Sequence, residues 1–495
     1  MKIIINAMKI IVVATFYFFF INLSRAQSNN SIQRAIETFT NHGELKNAAI
    51  SFAAYDIEGD SLIASLNDNM ALPPASTVKL FTTATAFETL GSRYIPKTKF
   101  YILGKIDSTG VLTGNIIIKG GGDPTLGSKF FTNEENRSEF ISDWIGLIRE
   151  AGITKIKGHI ITDASDFGYQ GAPDGWSWGD LGNYYGAGPS GLVLYDNMTK
   201  LHFSSGSGVD QPTKLDSMTP NIPNYNLLNN VTTYNSSRDN CYIYGAPFSY
   251  DRFAVGNLPQ NKQNFEVKAS IPDPELLLAQ EVFTALNKDS IEVTGTFSGM
   301  RELLKMGGKA LDYESCEELF EYGKRSIQDI AYWTNMRSVN LFAEQLLCLV
   351  AYSKTSLGTT ERGAGFVNSY WESRLNIEMF QTDGSGLSRN NGFSAQHYVR
   401  LLNYMYDSNQ YKNFKSTLPI AGKSGTLRGV CRGQAAQGRL YAKSGTMNRI
   451  KSYAGYVEST SGKKIAFALI VNNDNLSNNY LVKRMETVFN TMARY

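Results

Sequence analysis

A serine hydroxyl three residues ahead of a lysine amine puts a nucleophile and a base within one helical turn. The chain carries such a pair in Pro73-Pro74-Ala75-Ser76-Thr77-Val78-Lys79-Leu80. The apolar run FTTATAFETL follows with helical spacing, which places Ser76 at a helix start with Lys79 on the same face. Free backbone N–H groups at a helix N-terminus suit an oxyanion developing where Ser76 attacks. By itself, Ser-x-x-Lys also describes a helix cap followed by a solvated lysine, so the pair needs support from elsewhere in the chain.

Two later stretches supply that support. Ser338-Val339-Asn340 falls where one apolar helix pattern ends and the next begins; the plain reading of such a serine is an N-cap. Lys443-Ser444-Gly445-Thr446 ends one strand pattern and precedes two more, YAGYVE and KIAFALIV, joined over a turn at Ser459 to Gly462. The same tetrapeptide occurs earlier as Lys423-Ser424-Gly425-Thr426, between Pro419 and Gly429, where turn formers predict a loop. Chemistry needs the lysine on a rigid strand facing Ser76, so the second copy is the candidate.

The roles follow from the groups. A serine attacks poorly until a base takes its proton, and Lys79 is the nearest base. An ordinary lysine, with a pKa of about 10.4, is neutral at roughly 0.04% near pH 7, so Lys79 must be depressed, by burial and by the charge of Lys443. Ser338 can relay a proton between Lys79, Lys443 and a leaving amine, while Asn340 orients Lys79 and holds a substrate amide. Lys443, Ser444 and Thr446 suit a substrate ending in a free carboxylate.

These residues must be held by a chain of 495 residues, too long for one ordinary core. A net charge of +3 gives no sign of a nucleic-acid partner. Residues 1–26 combine Lys2 and Lys9 with an apolar run from Ile10 to Leu23 and end in Ser24-Arg25-Ala26, which reads as a secretory signal peptide cut after Ala26; the other reading is an uncleaved anchor. Either one takes the protein out of the cytoplasm. Cys241, Cys316, Cys348 and Cys431 show no zinc spacing, Cys348 reads as a buried small hydrophobe, and the four histidines lack metal spacing, so no metal or cofactor is expected.

Strands near both ends of the chain enclose helical patterns, and the last of these, NYLVKRMETVFNTMARY, is amphipathic and able to cover a sheet. One sheet built from both ends makes residues 96–270, rich in short strands and turns, a β-rich inserted domain between 27–95 and 271–495. Within it Gly120-Gly121-Gly122-Asp123-Pro124 lacks the Gly-Lys-Ser/Thr ending of a phosphate loop and reads as a structural turn. Residues 221–240 read as an ordered polar surface loop.

Ser-x-x-Lys, Ser-x-Asn and Lys-Ser-Gly in this order resemble the penicillin-binding protein and serine β-lactamase superfamily. With the long insertion and the stretches GGGDPTLG, DASDF, GWSWGDLGNYYGAGPS, DGSGLSR and LPIAGKSGTL, the chain is similar to the class C, low-molecular-mass D-alanyl-D-alanine carboxypeptidases/endopeptidases, the S13 serine peptidases. Ser444 stands where that family usually has Thr. The resemblance implies an α/β (α+β) transpeptidase-like domain, an antiparallel sheet with helices, carrying the insertion. It implies a serine-type carboxypeptidase acting through an acyl-enzyme on Ser76, with the backbone N–H groups of Ser76 and Thr446 as oxyanion hole. Ser444, Gly445 and Thr446 would bind substrate. Asp180, Trp178, Leu387, Arg389 and Met447 would receive the stem-peptide side chain. Peptidoglycan stem peptides and cross-links are the implied partners, β-lactams the implied inhibitors, and the periplasm or cell envelope the implied location. A β-lactamase and a non-catalytic peptidoglycan-binding protein are the alternatives.

Overall fold

A computed structural model describes residues 31–495, so the signal peptide read at residues 1–26 lies outside the described residues. Strands β1 (Ala49–Asp56), β2 (Ser61–Leu66), β3 (Leu440–Met447), β4 (Ile450–Glu458) and β5 (Lys464–Asn472) form one sheet in the order β3-β4-β5-β1-β2. Every neighbouring pair is antiparallel, and the pairing of Ala49 with Asn472 through Asp56 with Ile465 joins the two ends of the chain.

The sheet is buried on both faces, and the period-two alternation of β5 shows how. Ala466, Ala468 and Ile470 face one layer; Ile465, Phe467, Leu469 and Val471 face the other. The side lined by alanines lets helices approach closely, and it takes α1 (Lys79–Thr89), α2 (Ile327–Met336), α3 (Asn340–Thr355), α4 (Thr360–Leu375) and α5 (Ala395–Asp407). On the opposite side pack the helix over 31–40 and α6 (Asn478–Arg494), which presents Leu481, Met485, Val488, Phe489 and Met492 at helical spacing. Cys348 is buried in the five-helix layer, and all four cysteines are unpaired.

The helix that begins at Lys79 is fixed by Phe81, fully buried with its ring against Trp371, Phe393 and Tyr398. Truncating such an aromatic typically costs about 3–5 kcal/mol, so the orientation of α1 is strongly specified. Trp371 also donates from Nε1 to Thr85 Oγ1 at 2.7 Å, which pins the same helix to α4.

Residues 98–322 build three further sheets. Thr98–Ile106, Val111–Lys119, Lys155–Lys157 and Ile160–Asp163 join Glu292–Val293, Phe297–Gly299 and Glu317–Tyr322 in a seven-stranded sheet. The helix Pro274–Lys288 packs Leu277, Leu278, Val282 and Leu286 into its core. The apolar face of that helix is satisfied by the inserted sheet, while the five-helix layer takes Phe167 and Val193 from within 96–270 and is joined again along the chain at Ile327. Two three-stranded sheets between Met198 and Ser270 share a small core. One of their strands, Asn226–Tyr234, lies in the stretch read as a polar loop; its inward Val231 is buried and the alternate residues face out.

The Gly-Gly-Gly-Asp-Pro segment is a turn. A Cβ on Gly121 would lie 1.9 Å from the Lys97 carbonyl, and Asp123 accepts from Thr125 N–H and Oγ1 at 2.9 and 2.7 Å. Among the described residues no helix is long and apolar enough to cross a membrane.

Candidate active site

Ser76 sits in a 3₁₀ turn, Ala75–Val78, that runs directly into α1 at Lys79. Residues three apart eclipse in a 3₁₀ turn, which brings the Lys79 amine to the Ser76 hydroxyl: Nζ to Oγ is 3.0 Å. The turn is bolted to its surroundings by Thr77, whose Oγ1 donates to the Pro74 carbonyl at 2.9 Å and meets Tyr398 OH at 2.9 Å and Ser452 Oγ at 3.2 Å. Ala75 is held at φ +51°, a left-handed conformation that non-glycine residues adopt only where the surroundings impose it.

Lys79 is fully buried, and two more acceptors surround its amine: Asn340 Oδ1 at 2.8 Å and the Ser385 carbonyl at 2.6 Å. Asn340 is the first residue of α3, and its Nδ2 donates to the Tyr185 carbonyl at 2.9 Å, which fixes Oδ1 toward the lysine. Burial lowers Lys79 to about 7, and the carboxylates of Asp383 and Glu344 pull the other way. A neutral amine has two protons. Asn340 Oδ1 and the Ser385 carbonyl can only accept, so both protons are engaged and the lone pair faces Ser76, the one partner able to donate.

The acids that oppose burial also shape the loop around the amine. Glu344, buried in α3, accepts from Gly384 and Ser385 N–H, both at 2.8 Å. Asp383 accepts from Gly386 and Ser388 N–H at 2.8 and 2.7 Å, from Asn391 Nδ2 at 2.8 Å and from Trp176 Nε1 at 2.9 Å. Burial and the Asp383 charge push Glu344 up to about 8.

Ser338 is not the cap of α3; Val339 is. Ser338 is instead held at φ +60° with its Oγ accepting from Lys443 Nζ at 2.9 Å. Lys443 is fully buried on β3 and donates also to the Ser444 carbonyl at 2.6 Å; burial, then the Lys79 and Lys451 charges, lower it well below the usual lysine range. Repulsion between the two lysines thus adds to burial at Lys443, while Lys79 is lowered by burial.

Gly445 allows β3 to pass against the serine turn. A Cβ there would stand 2.6 Å from the Pro74 carbonyl and 3.0 Å from Ser76 N. Ser444 Oγ donates to Thr426 Oγ1 at 2.8 Å, and Thr446 Oγ1 accepts from Lys451 Nζ at 2.7 Å.

Of the residues read as a side-chain pocket, Asp180 and Arg389 are electrostatic neighbours. Burial raises Asp180, while a hydrogen bond from Tyr185 and the Arg389 charge lower it. Arg389 Nη2 donates to the Asn448 carbonyl at 3.1 Å, beside Met447 at the end of β3. Leu387 is half-buried, its N–H on Ser385 Oγ at 3.3 Å. Trp178 is 56% exposed and its ring approaches Tyr244, 6.2 Å away; the tryptophan joined to the Asp383 loop is Trp176.

Sequence reading missed Glu344, Asp383, Tyr185, Thr426 and Lys451. Glu344 leaves one signal, an acid that stands with Gln345 inside the apolar run LFAEQLLCLV. Tyr185 contributes a main-chain carbonyl and leaves none.

The chain is similar to known proteins over most of its length. It is 27% identical over 460 residues to penicillin-sensitive carboxypeptidase A of Dictyostelium discoideum, covering 88% of this chain and 84% of that one. It is 25% identical over 456 residues to a D-alanyl-D-alanine carboxypeptidase of Actinomadura, covering 89% and 81%. Penicillin binding protein 4 of Haemophilus influenzae shares its fold with a TM-score of 0.77 at 22% identity, over 93% of this chain and 99% of that one. The α/β penicillin-binding fold expected from the motifs is therefore the fold observed. Residues 32–494 match the D-Ala-D-Ala carboxypeptidase 3 (S13) family, and the chain belongs to it.

Proposed function

We propose that this protein is a serine-type D-alanyl-D-alanine carboxypeptidase that works through an acyl-enzyme on Ser76 and is acylated by penicillins. The observation that carries the reading is the partner set of Lys79: two obligate acceptors and one hydroxyl. In that setting a neutral Lys79 takes the Ser76 proton as Oγ attacks the carbonyl between two D-alanine residues. The backbone N–H groups of Ser76 and Thr446 stabilise the oxyanion. Ser338, accepting from Lys443, relays a proton to the leaving amine and takes one back from the Lys443 and Lys79 side, so that the Ser76 proton ends net on the amine and both lysines return to their starting state. Water then releases the acyl group by the reverse path.

The substrate class is peptidoglycan stem peptides ending in D-Ala-D-Ala, and cross-links cut as an endopeptidase would use the same steps. Ser444 and Thr446 receive the terminal carboxylate, and Asp180, Arg389, Leu387 and Met447, with Trp178 at the rim, receive the stem side chain. Residues 1–26, read as a secretory signal peptide, support a location in the periplasm or cell envelope. The catalytic domain comprises 27–95 and the chain after the insertion, and the packing of Pro274–Lys288 supports ending the insertion near residue 322.

Fluorescent penicillin tests this. The wild-type chain should take a stable covalent label and release D-Ala from a pentapeptide, and Ser76→Ala should do neither while melting at the same temperature. Labelling of Ser76→Ala would sink the assignment, rapid loss of the wild-type label would favour a β-lactamase, and an unlabelled wild type would favour a binding protein.

A further inference from the structure

The charges around the site are unevenly shared. Glu344 and Asp383 act on Lys79, whereas the groups bearing on Lys443 are cations, Lys79 and Lys451. Lys451 stands opposite Thr446 in the β3–β4 ladder, is 7% exposed, and donates from Nζ to Thr446 Oγ1 at 2.7 Å. An ammonium has three donors, yet among the described residues this one forms no ion pair, and the Tyr453 ring lies 5.1 Å from Nζ. Burial pushes it down to about 8.

A lysine that is only structural is usually ion-paired or turned to solvent, because a buried cation without a counter-charge is unfavourable. Lys451 is neither, and it is within reach of a ligand. Together with Thr446, Met447, Arg449 and Asp474 it lines one cleft. The acid in that cleft, Asp474, accepts from Leu476 N–H at 3.0 Å.

We propose that Lys451 is the counter-ion of the substrate's C-terminal carboxylate, holding it beside the Thr446 hydroxyl. This rests on the reading of Ser76 as the acylated serine. The anion supplies the charge that the Lys443 and Lys451 side of the site lacks, and Lys451 makes the enzyme select peptides with a free terminus.

The test compares kcat/KM for an acyl-D-Ala-D-Ala peptide with that for its C-terminal amide, in the full-length wild type, Lys451→Met and Lys451→Arg. Lys451→Met should lose about 10- to 100-fold on the free acid, the scale of a charge-assisted hydrogen bond, and about threefold or less on the amide. Lys451→Arg should keep the preference for the acid. Should Lys451→Met not fold, Lys451→Gln takes its place. Equal losses on acid and amide, or no loss on either, would overturn the inference alone. A wild-type chain that turns over neither peptide overturns the acyl-enzyme reading and this inference with it.

Discussion

The chain spells Lys-Ser-Gly-Thr twice, and the two copies have nothing in common but their letters. Lys423 is exposed at a turn where Lys423 and Ser424 N–H both return to the Ile420 carbonyl, and Gly425–Leu427 coils into a 3₁₀ turn. Lys443 is fully buried in β3, paired along its length with β4 and aimed at Ser338. Desolvation and neighbouring charge, the two causes that make a lysine chemically unusual, act on the second copy because a strand carries it under the helical layer. A short motif therefore states which groups are available; the element under it decides whether they react.

The sharpest way to break this comparison is to remove each lysine in turn. Lys443→Ala leaves Ser338 without its donor, and acylation by penicillin should fall by about a thousandfold, the scale of losing a group that stabilises the transition state. Lys423→Ala should change the same rate by about twofold or less, as surface substitutions do. A larger loss for Lys423→Ala would mean that the wrong copy has been placed in the site. The glycines extend the test. Gly445→Ala drives a Cβ into Pro74 and Ser452 beside Ser76 and should lower kcat/KM by about a hundredfold through misplacement of Ser76. Gly425→Ala, at φ +55° and against the Met336 carbonyl, should appear mainly as about 1–3 kcal/mol of lost stability in a thermal melt.

A third test concerns Lys79. Its folded-state pKa is lowered to about 7 by burial, so the neutral base is present above that value and is lost as pH falls through it. The acylation rate should drop about fivefold between pH 7 and pH 6, following the neutral fraction. Lys423→Ala should leave the profile in place, because that side chain is exposed and the charges that act on Lys79 are those of Asp383 and Glu344. A rate flat across this range would mean that Lys79 is not the base.

Much of the arrangement was legible in the sequence because it depends on local patterns. The alternation in KIAFALIV, the turn at Ser459 to Gly462 and the amphipathic last helix each specify an element, and the sheet from both chain ends follows from them. The three motifs were legible because two lie at element boundaries and the third runs along a strand whose pattern is plain in the sequence. What escaped depends on tertiary contact. The helix Pro274–Lys288 reads the same whichever core it joins, and only the folded chain shows that its apolar face belongs to the inserted sheet. Lys451 reads as an ordinary charged strand residue until β4 turns it under Thr446. Tyr185 holds Asn340 through its carbonyl, which every residue has.

The two copies also touch, and this gives the finest test of how far they differ in role. Thr426, from the exposed copy, receives the hydrogen bond of Ser444 Oγ at 2.8 Å. The first copy thus helps to orient the second through its last residue, while its lysine is exposed. Thr426→Val keeps the shape and removes the acceptor, leaving Ser444 free to rotate. A neutral hydroxyl pair contributes about 1 kcal/mol, which is about a fivefold change in an equilibrium or rate. Because Ser444 would meet the substrate carboxylate in ground and transition states alike, the loss should appear in KM for D-Ala-D-Ala peptides, with kcat nearly unchanged. A fall in kcat of a hundredfold would assign Thr426 a direct part in the chemistry, and the first copy could no longer be treated as a bystander.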